Sequence, residues 1–191
     1  SDMIFVESHS VKKYFKKYYK NINFFPLRRA VRWFKLNKSL KNTFIKKPFF
    51  YFPAQLWLHK NHFFIVSLAE KLKKRQINCK FIFSGRNEDH RNPNHYKNLI
   101  NLINKKKLND YFEFLGHVDS SLVKLLIKKC EALISPSKHE GWATISEESR
   151  FFGKYVFLSK IACHIEQNPP GAIYFNLKNI KELEKKFVKF I

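Results

Sequence analysis

From Pro48 onward, short apolar segments alternate with longer segments in which apolar residues recur every three or four positions. Segments of the first kind are typical of buried strands, and those of the second kind are typical of amphipathic helices. This alternation predicts a parallel sheet, because parallel neighbours need a crossover connection that a helix usually supplies. Right-handed crossovers would place helices on both faces of the sheet. The sequence therefore predicts an α/β fold with a doubly wound parallel sheet.

The predicted elements of this part of the chain are short and closely spaced. Strands are expected over residues 48–52, 79–84, 111–115, 132–135, 154–158 and 172–175. Helices are expected over residues 61–75, 96–106, 120–129, 144–152 and 180–190. Together they form one domain that covers residues 48–191.

The first 47 residues do not follow this alternation. Short apolar strands at 3–6 and 22–25 flank a predicted helix at 11–19, and a further helix is expected at 30–35. Neither strand has an obvious partner in the rest of the sequence. We therefore expect residues 1–47 to form an appendage rather than a domain of their own.

The formal net charge of +22 is extreme, and one dense run of lysines stands out at Lys12, Lys13, Lys16, Lys17 and Lys20. Such a charge is compatible with nucleic acid, an anionic membrane surface or an anionic ligand, and also with compositional drift. The sequence has no RRM, OB-fold or helix-turn-helix signature. Because the net charge is compatible with nucleic acid, a basic α/β nucleic-acid-binding domain is kept as the alternative function.

The three cysteines, Cys79, Cys130 and Cys163, lie far apart and form neither a metal-binding nor a disulfide pattern. The sequence has no apolar run of about 18 residues, the length needed to span a membrane. Its first residues lack the basic and apolar regions of a signal peptide. We therefore expect reduced thiols and a cytoplasmic protein.

Two carboxylates, Glu140 and Glu148, flank the start of the helix that ends before Gly153. A helix N-terminus suits a phosphate, and Gly141 would let the backbone approach a ligand closely. Eight residues of helical rise cover about 12 Å, the length of a nucleotide-sugar. The spacing alone also fits two other interpretations: solvated charges, since Glu147 and Glu148 are favoured near a helix N-terminus, and the acid–base pair of a glycoside hydrolase.

Polar residues and glycines follow the ends of four predicted strands. The carboxyl ends of parallel strands share one edge of an open sheet, and ligands bind there. We therefore expect a ligand site formed by these turns: Gln55 and Lys60, Gly85 and Arg86, Gly116 and His117, and residues 136–140.

We find a resemblance to glycosyltransferase family 4 in four segments: AQLWLHKNH, SGRNEDHRNPNHY, FLGHV and SPSKHEGWATISEESRFFGKYVFLSKIACHIEQNPPGAIYF. Members of that family are retaining enzymes of the GT-B architecture, which has two facing Rossmann-like domains. The resemblance covers residues 48–191 as the C-terminal, donor-binding domain. Residues 3–26 resemble the last strand, helix and strand of the N-terminal domain, so residues 1–47 would be a remnant of it and of the interdomain connection.

The resemblance also implies roles for individual residues. Lys60 would contact the donor diphosphate and Glu140 the sugar, as the catalytic residues, while Glu148 would bind the ribose hydroxyls. The remaining donor-binding residues would be Gln55, Gly85 and Arg86 near the phosphates, Gly116, His117 and Val118 at the base, and Gly141, Trp142, Ala143, Thr144 and Ile145 near the sugar and phosphate.

The chain departs from the family pattern at two positions: Gln55 replaces the arginine of many members, and Ala143 replaces a second glycine. No metal or other cofactor is expected, so the His59 and His62 pair is interpreted as loop polarity. The resemblance implies a hexosyltransferase that acts on a glycan or lipid-linked acceptor at the cytosolic membrane face. Its expected partners are a nucleotide-sugar, the missing acceptor domain and an anionic membrane surface, with no nucleic acid, and this chain alone is expected to be inactive.

Overall fold

The computed structural model describes residues 3–27 and 48–191. Its strands are β1 (Met3–Val6), β2 (Asn23–Pro26), β3 (Phe49–Pro53), β4 (Lys80–Ser84), β5 (Phe112–Phe114), β6 (Ala132–Ser135), β7 (Val156–Ser159) and β8 (Ala172–Phe175). Its helices are α1 (His9–Phe15), α2 (His62–Lys74), α3 (His95–Lys105), α4 (Ser120–Lys129), α5 (Thr144–Phe152), α6 (Ala162–Gln167) and α7 (Ile180–Phe190), with short 3-10 turns at Leu58–Lys60 and Asn109–Tyr111.

The strands β3 to β8 form one parallel sheet in the order β5-β4-β3-β6-β7-β8. From β3 the chain first builds outward through β4 and β5, then returns to the other side of β3 with β6. The direction of winding therefore reverses between β3 and β6. A crevice opens at such a switch point, outside the carboxyl ends of the strands.

Both faces of the sheet are covered by helices, as the continuous apolar strands predict. Phe50 packs on Phe187 of α7, with ring centroids 4.2 Å apart, and Phe52 stacks on His62 of α2. Tyr51 points to the opposite face, because side chains alternate along a strand. There it lies near Cys130 beyond α4 and Glu148 of α5. The α/β fold with a doubly wound parallel sheet is thus confirmed.

The N-terminal segment forms a small strand–helix–strand unit. Strands β1 and β2 pair in parallel, with Met3 opposite Asn23, so the expectation that they lack partners is wrong. Helix α1 begins earlier than predicted, at His9, because the side chain of Ser8 caps its start by accepting from the N–H of Val11 at 3.1 Å. It also ends earlier than predicted, at Phe15. The helix predicted at 30–35 lies outside the described residues.

Helix α6 was not predicted. It has only six residues, and two of its polar side chains, His164 and Gln167, are buried, so no amphipathic pattern marks it. Its last turn contacts the N-terminal segment: the carboxylate of Glu166 accepts from the N–H groups of His9 and Ser10 at 2.9 and 3.1 Å. Among the described helices, none is long and apolar enough to cross a membrane.

Candidate functional site

A cavity of about 350 Å³ lies in the crevice at the carboxyl ends of β3 and β4 and the start of α5. Its lining includes seven of the residues proposed from the sequence: Gln55, Lys60, Gly85, His117, Val118, Thr144 and Glu148. It also includes Pro53, Ala54, Trp57, Ser84 and Val123, which the sequence did not single out. The turns after β3, β4 and β5 and the start of α5 therefore meet at one place, whereas residues 136–140, expected as the fourth turn of the site, are not part of this lining.

Gly85 joins the turns after β3, β4 and β5. Its N–H donates to the carbonyl of Gly116 at 2.8 Å, and its φ of +143° is one that other residues rarely adopt. A Cβ at this position would stand 2.3 Å from the carbonyl oxygen of Ala54. A glycine is thus required by the packing of the turns, whether or not a ligand contacts it.

Gln55 and Arg86 interact with each other at the edge of this cavity. The side-chain oxygen of Gln55 accepts from the backbone N–H of Arg86 at 2.6 Å. The carboxamide NH₂ of Gln55 therefore stays available to a ligand, whereas the side chain of Arg86 is exposed and does not line the cavity. Gly116 likewise contributes its carbonyl to Gly85 rather than a surface to the cavity.

Lys60 and Glu140 form an ion pair across the crevice. The ammonium donates to both carboxylate oxygens, at 2.7 and 2.9 Å. The loops that carry them are tied together, because Asn61 donates its side-chain N–H to the carbonyl of Pro136 at 3.1 Å and Lys138 donates its backbone N–H to the carbonyl of His59 at 2.8 Å. Lys60, the one cation among the described residues that line the cavity, is therefore held in place before any ligand binds.

Glu148 is buried in the first turns of α5 and lines the same cavity. Burial raises the pKa of its carboxyl group to about 7. Within the described residues the structure gives it no hydrogen bond or ion pair. A buried polar group without a partner that faces a cavity is a strong indication of a ligand-binding role.

The raised pKa of Glu148 predicts a pH-dependent stability. Below its ordinary pKa of 4.5 the carboxyl is neutral in both states, and its burial costs nothing. Between pH 4.5 and about 7 the Glu148 carboxyl ionises in the unfolded state but stays largely neutral in the folded state. The free energy of unfolding therefore falls as the pH rises through this range, and it stays low above it. We expect Glu148→Gln to raise the free energy of unfolding by about 3 kcal/mol at pH 8 and not at pH 4. Urea denaturation of both proteins at the two pH values measures this, and an equal gain at both would contradict it.

The start of α5 is fixed by Gln167 of α6. Its carboxamide accepts from the N–H of Ala143 at 3.1 Å and donates to the carbonyl of Ala143 at 2.9 Å. The N–H of Ala143 is therefore engaged within the chain and is not directed at a ligand, contrary to the role proposed for it. Trp142 holds its indole N–H buried with no acceptor in the described part of the chain, and Ile145 is buried in the core.

Gly141 does allow a close approach, but the approaching group belongs to the chain itself. A Cβ at Gly141 would come within 2.5 Å of a carboxylate oxygen of Glu7, which follows β1. This contact was not predictable from the sequence, because Glu7 and Gly141 lie 134 positions apart and only the fold brings them together. Glu7 thus lies beside the loop that carries Glu140.

His59 and His62 have different environments. His62 lies in the core between Phe52 and Phe83, and burial lowers its pKa to about 3. His59 instead stacks on His139, with ring centroids 4.5 Å apart. In the described ranges, no three His, Cys, Asp or Glu side chains are grouped so that they could hold a metal ion. The interpretation of both histidines as loop polarity is therefore wrong for His62, which is a core residue at the start of α2.

Comparison with known sequences identifies the family. Residues 33–191 match the family described as glycosyl transferases group 1. The chain belongs to this family. No curated protein matched the sequence of this group 1 glycosyl transferase.

Several solved protein structures share the fold of this chain. A sucrose-phosphate synthase from Thermosynechococcus elongatus gives a TM-score of 0.81 at 13% identity, over 99% of this chain and 49% of that one. The HepE protein of Anabaena, solved with UDP and glucose, gives 0.78 at 14% identity over 99% and 53%. A glycosyltransferase from Rickettsia africae gives 0.75 at 20% identity over 99% and 53%. The six-stranded sheet with its flanking helices is thus the Rossmann-like fold of GT-B glycosyltransferases, and this chain spans about half the length of those three proteins.

Proposed function

We propose that this group 1 glycosyl transferase binds a nucleoside diphosphate sugar as the donor of a retaining, family 4 type reaction. The observation that carries the proposal is one cavity that presents a fixed ammonium, Lys60, and a buried carboxyl without a partner, Glu148. The first suits a diphosphate and the second suits the two hydroxyls of a ribose. Several similar structures were solved in complex with UDP, which supports uridine diphosphate as the nucleotide here.

In this proposal the donor extends from Glu148 towards Glu140. Glu148 binds the ribose, Lys60 and the N–H groups at the start of α5 bind the diphosphate, and Glu140 binds the sugar. In the transfer, the bond between the anomeric carbon and the diphosphate breaks, the acceptor oxygen bonds to that carbon, and the hydroxyl proton leaves with the released diphosphate. Lys60 stabilises the charge that develops on the leaving group, because its position is fixed in advance.

We further propose that the sugar is a hexose, that the acceptor is a glycan or a lipid-linked sugar, and that the protein works at the cytosolic face of an anionic membrane. The +22 charge supports the last point. Most of the acceptor site would lie in an N-terminal domain of which residues 1–47 are a part, so the chain alone would bind the donor without transferring it. Family membership supports this function over the nucleic-acid-binding alternative.

The two carboxylates give the sharpest test of the donor orientation. Glu148→Ala is expected to weaken UDP and UDP-glucose alike, by about tenfold, because both ligands carry the ribose. Glu140→Ala is expected to weaken UDP-glucose by a similar factor and UDP by clearly less, because only UDP-glucose carries the sugar, whereas UDP loses only the orientation that Glu140 gives to Lys60. Titration calorimetry of both variants with both ligands provides the four dissociation constants.

The neighbouring Glu147 offers a matched control. It is half-buried and pairs with Arg150 and Gln167, away from the cavity, so Glu147→Ala should leave both dissociation constants within about twofold. Equal losses for UDP and UDP-glucose in Glu140→Ala would refute the orientation. The absence of UDP binding by the unaltered chain would refute the function itself.

A further inference from the structure

The turn that carries Lys60 is held by two loops of the chain. Besides its bonds to the loop after β6, it is bound by Asp89 in the loop after β4, whose carboxylate accepts from the N–H of Leu58 at 3.0 Å. Leu58 begins the 3-10 turn Leu58–Lys60, and the first N–H groups of a helical turn have no acceptor within the turn. Trp57 precedes the turn, and an indole has no acceptor to offer. Asp89 therefore caps this turn from a position 31 residues later in the chain.

The carboxylate of Asp89 is itself fixed by its own loop. One oxygen accepts from the N–H of Arg91 at 3.1 Å, and the oxygen that binds Leu58 also accepts from the side-chain NH₂ of Asn92 at 3.2 Å. The residue is only 4% exposed. These hydrogen bonds, above all the one from Leu58, hold the pKa of the Asp89 carboxyl below its ordinary value. Asp89 is therefore a charged and immobile acceptor at neutral pH.

The loop after β4 also contacts the residue before the turn. The guanidinium of Arg91 lies 5.7 Å from the ring centroid of Trp57, within the range of a cation–π contact. Trp57 and Lys60 both line the cavity of the candidate site, whereas its lining in the described part of the chain includes neither Asp89 nor Arg91. The loop can therefore affect a ligand in the cavity through Trp57 and Lys60, without touching the ligand.

The charge of Asp89 makes two possible effects on a diphosphate opposite in sign. An anionic side chain beside the turn repels an anionic ligand, so its removal should tighten the binding of UDP if charge alone matters. If Asp89 instead fixes the ammonium of Lys60 where the phosphates bind, its removal should weaken UDP. The direction of the change therefore identifies the role.

We propose that Asp89 is a positioning residue for the donor diphosphate, which acts by fixing the turn that carries Lys60. The proposal rests on the donor-binding function above, since it takes Lys60 as the ligand of the phosphates. It adds a residue outside the cavity that sets the affinity for the phosphate part of the donor.

The test is the variant Asp89→Asn, titrated with UDP and with uridine in a calorimeter. A carboxamide has the shape of the carboxylate, but its NH₂ must face one of the three donors that Asp89 now accepts from, so a hydrogen bond is lost. We expect UDP to bind about fivefold more weakly and uridine to change by less than about twofold, because uridine has no phosphates.

Glu88→Gln is the matched control. Glu88 precedes Asp89, is exposed and does not line the cavity, and its variant removes the same charge. UDP affinity should therefore stay within about twofold of the unaltered chain. Urea denaturation establishes that each variant is folded under the assay conditions. Asp89→Glu is the second variant at the site: it keeps the charge but displaces the carboxylate by one methylene group, and it should also weaken UDP and spare uridine.

A double-variant cycle tests whether Asp89 acts through Lys60. Added to Lys60→Ala, the change Asp89→Asn should alter UDP affinity by less than about twofold, because the ammonium that it would misplace is already gone. A fivefold loss in that background would overturn the proposal, and so would unchanged or tighter UDP binding in Asp89→Asn, or an equal loss for uridine. The two proposals fail separately: no UDP binding by the unaltered chain refutes the donor function and this role with it, whereas UDP binding that both Asp89 variants leave unchanged refutes only the positioning role.

Discussion

Replacement of Lys60 by alanine is expected to weaken UDP by about 1.5–3 kcal/mol and to leave uridine nearly unchanged, because hydrogen bonds to charged groups are worth that much. Lys60 lines the cavity of the candidate functional site, and its ammonium is already oriented by Glu140. Its loss also leaves the carboxylate of Glu140 unpaired beside the diphosphate, which adds repulsion. Titration calorimetry with UDP and uridine measures both effects.

Two further variants separate the loss of the Lys60 ammonium from the repulsion by the unpaired carboxylate of Glu140. The double variant Lys60→Ala, Glu140→Gln removes the unpaired carboxylate and should recover part of the lost UDP affinity. Lys138→Ala also removes one positive charge, two residues from Glu140, but Lys138 does not line the cavity of the candidate site. The free energy of UDP binding should therefore change by less than about 0.5 kcal/mol. Equal losses for UDP and uridine in Lys60→Ala would mean that Lys60 acts through folding and not through the phosphates.

Gly85→Ala is expected to lower the free energy of unfolding by about 3 kcal/mol or more, the range for combined overpacking and backbone strain. The added Cβ would lie 2.3 and 2.6 Å from the carbonyl oxygen and carbon of Ala54. Both are backbone atoms at the end of β3, so neither can move without disturbing the sheet. The φ of +143° adds a conformational cost.

The variant Gly153→Ala separates the cost of the steric overlap with Ala54 from the cost of the backbone conformation. It also has a positive φ, +61°, but nothing lies within 4 Å of a Cβ built there. Gly153→Ala should therefore lower the free energy of unfolding by only about 1 kcal/mol, the cost of the left-handed backbone alone. Urea denaturation compares the two variants, and similar losses in both would show that contact with Ala54 is unimportant.

The sheet and the edge that carries the site were predictable because their signals are local. Strands such as β4 are continuous apolar runs, and the residues that follow them, including Gly85 and His117, reach the cavity because parallel strands end at one edge. Glu148 was proposed as a site residue from the family resemblance, since its spacing to Glu140 alone left two other interpretations open. That it is buried without a partner was not predictable, because burial depends on what α5 packs against.

The contacts that depend on distant parts of the chain were missed. Gln167 binds the backbone of Ala143 across 24 residues, and Glu7 reaches Gly141 from the N-terminal segment. A single sequence carries no pattern for such pairs, since a polar side chain that binds a backbone group has no periodicity. A second cavity, of about 650 Å³, was missed for the same reason: it lies between α1, the loop after β6 and the start of α6, and no motif is common to these three segments.

Helix α6 limits where the chain can change in length. Its consecutive residues Glu166 and Gln167 point in directions about 100° apart, one to the start of α1 and the other to the start of α5. One residue inserted within α6 would rotate both side chains away from their partners at once. The same insertion after Asn168, in the turn that leads to β8, would leave both in place. Natural length variation between these neighbouring segments should therefore fall in the turn and spare the helix.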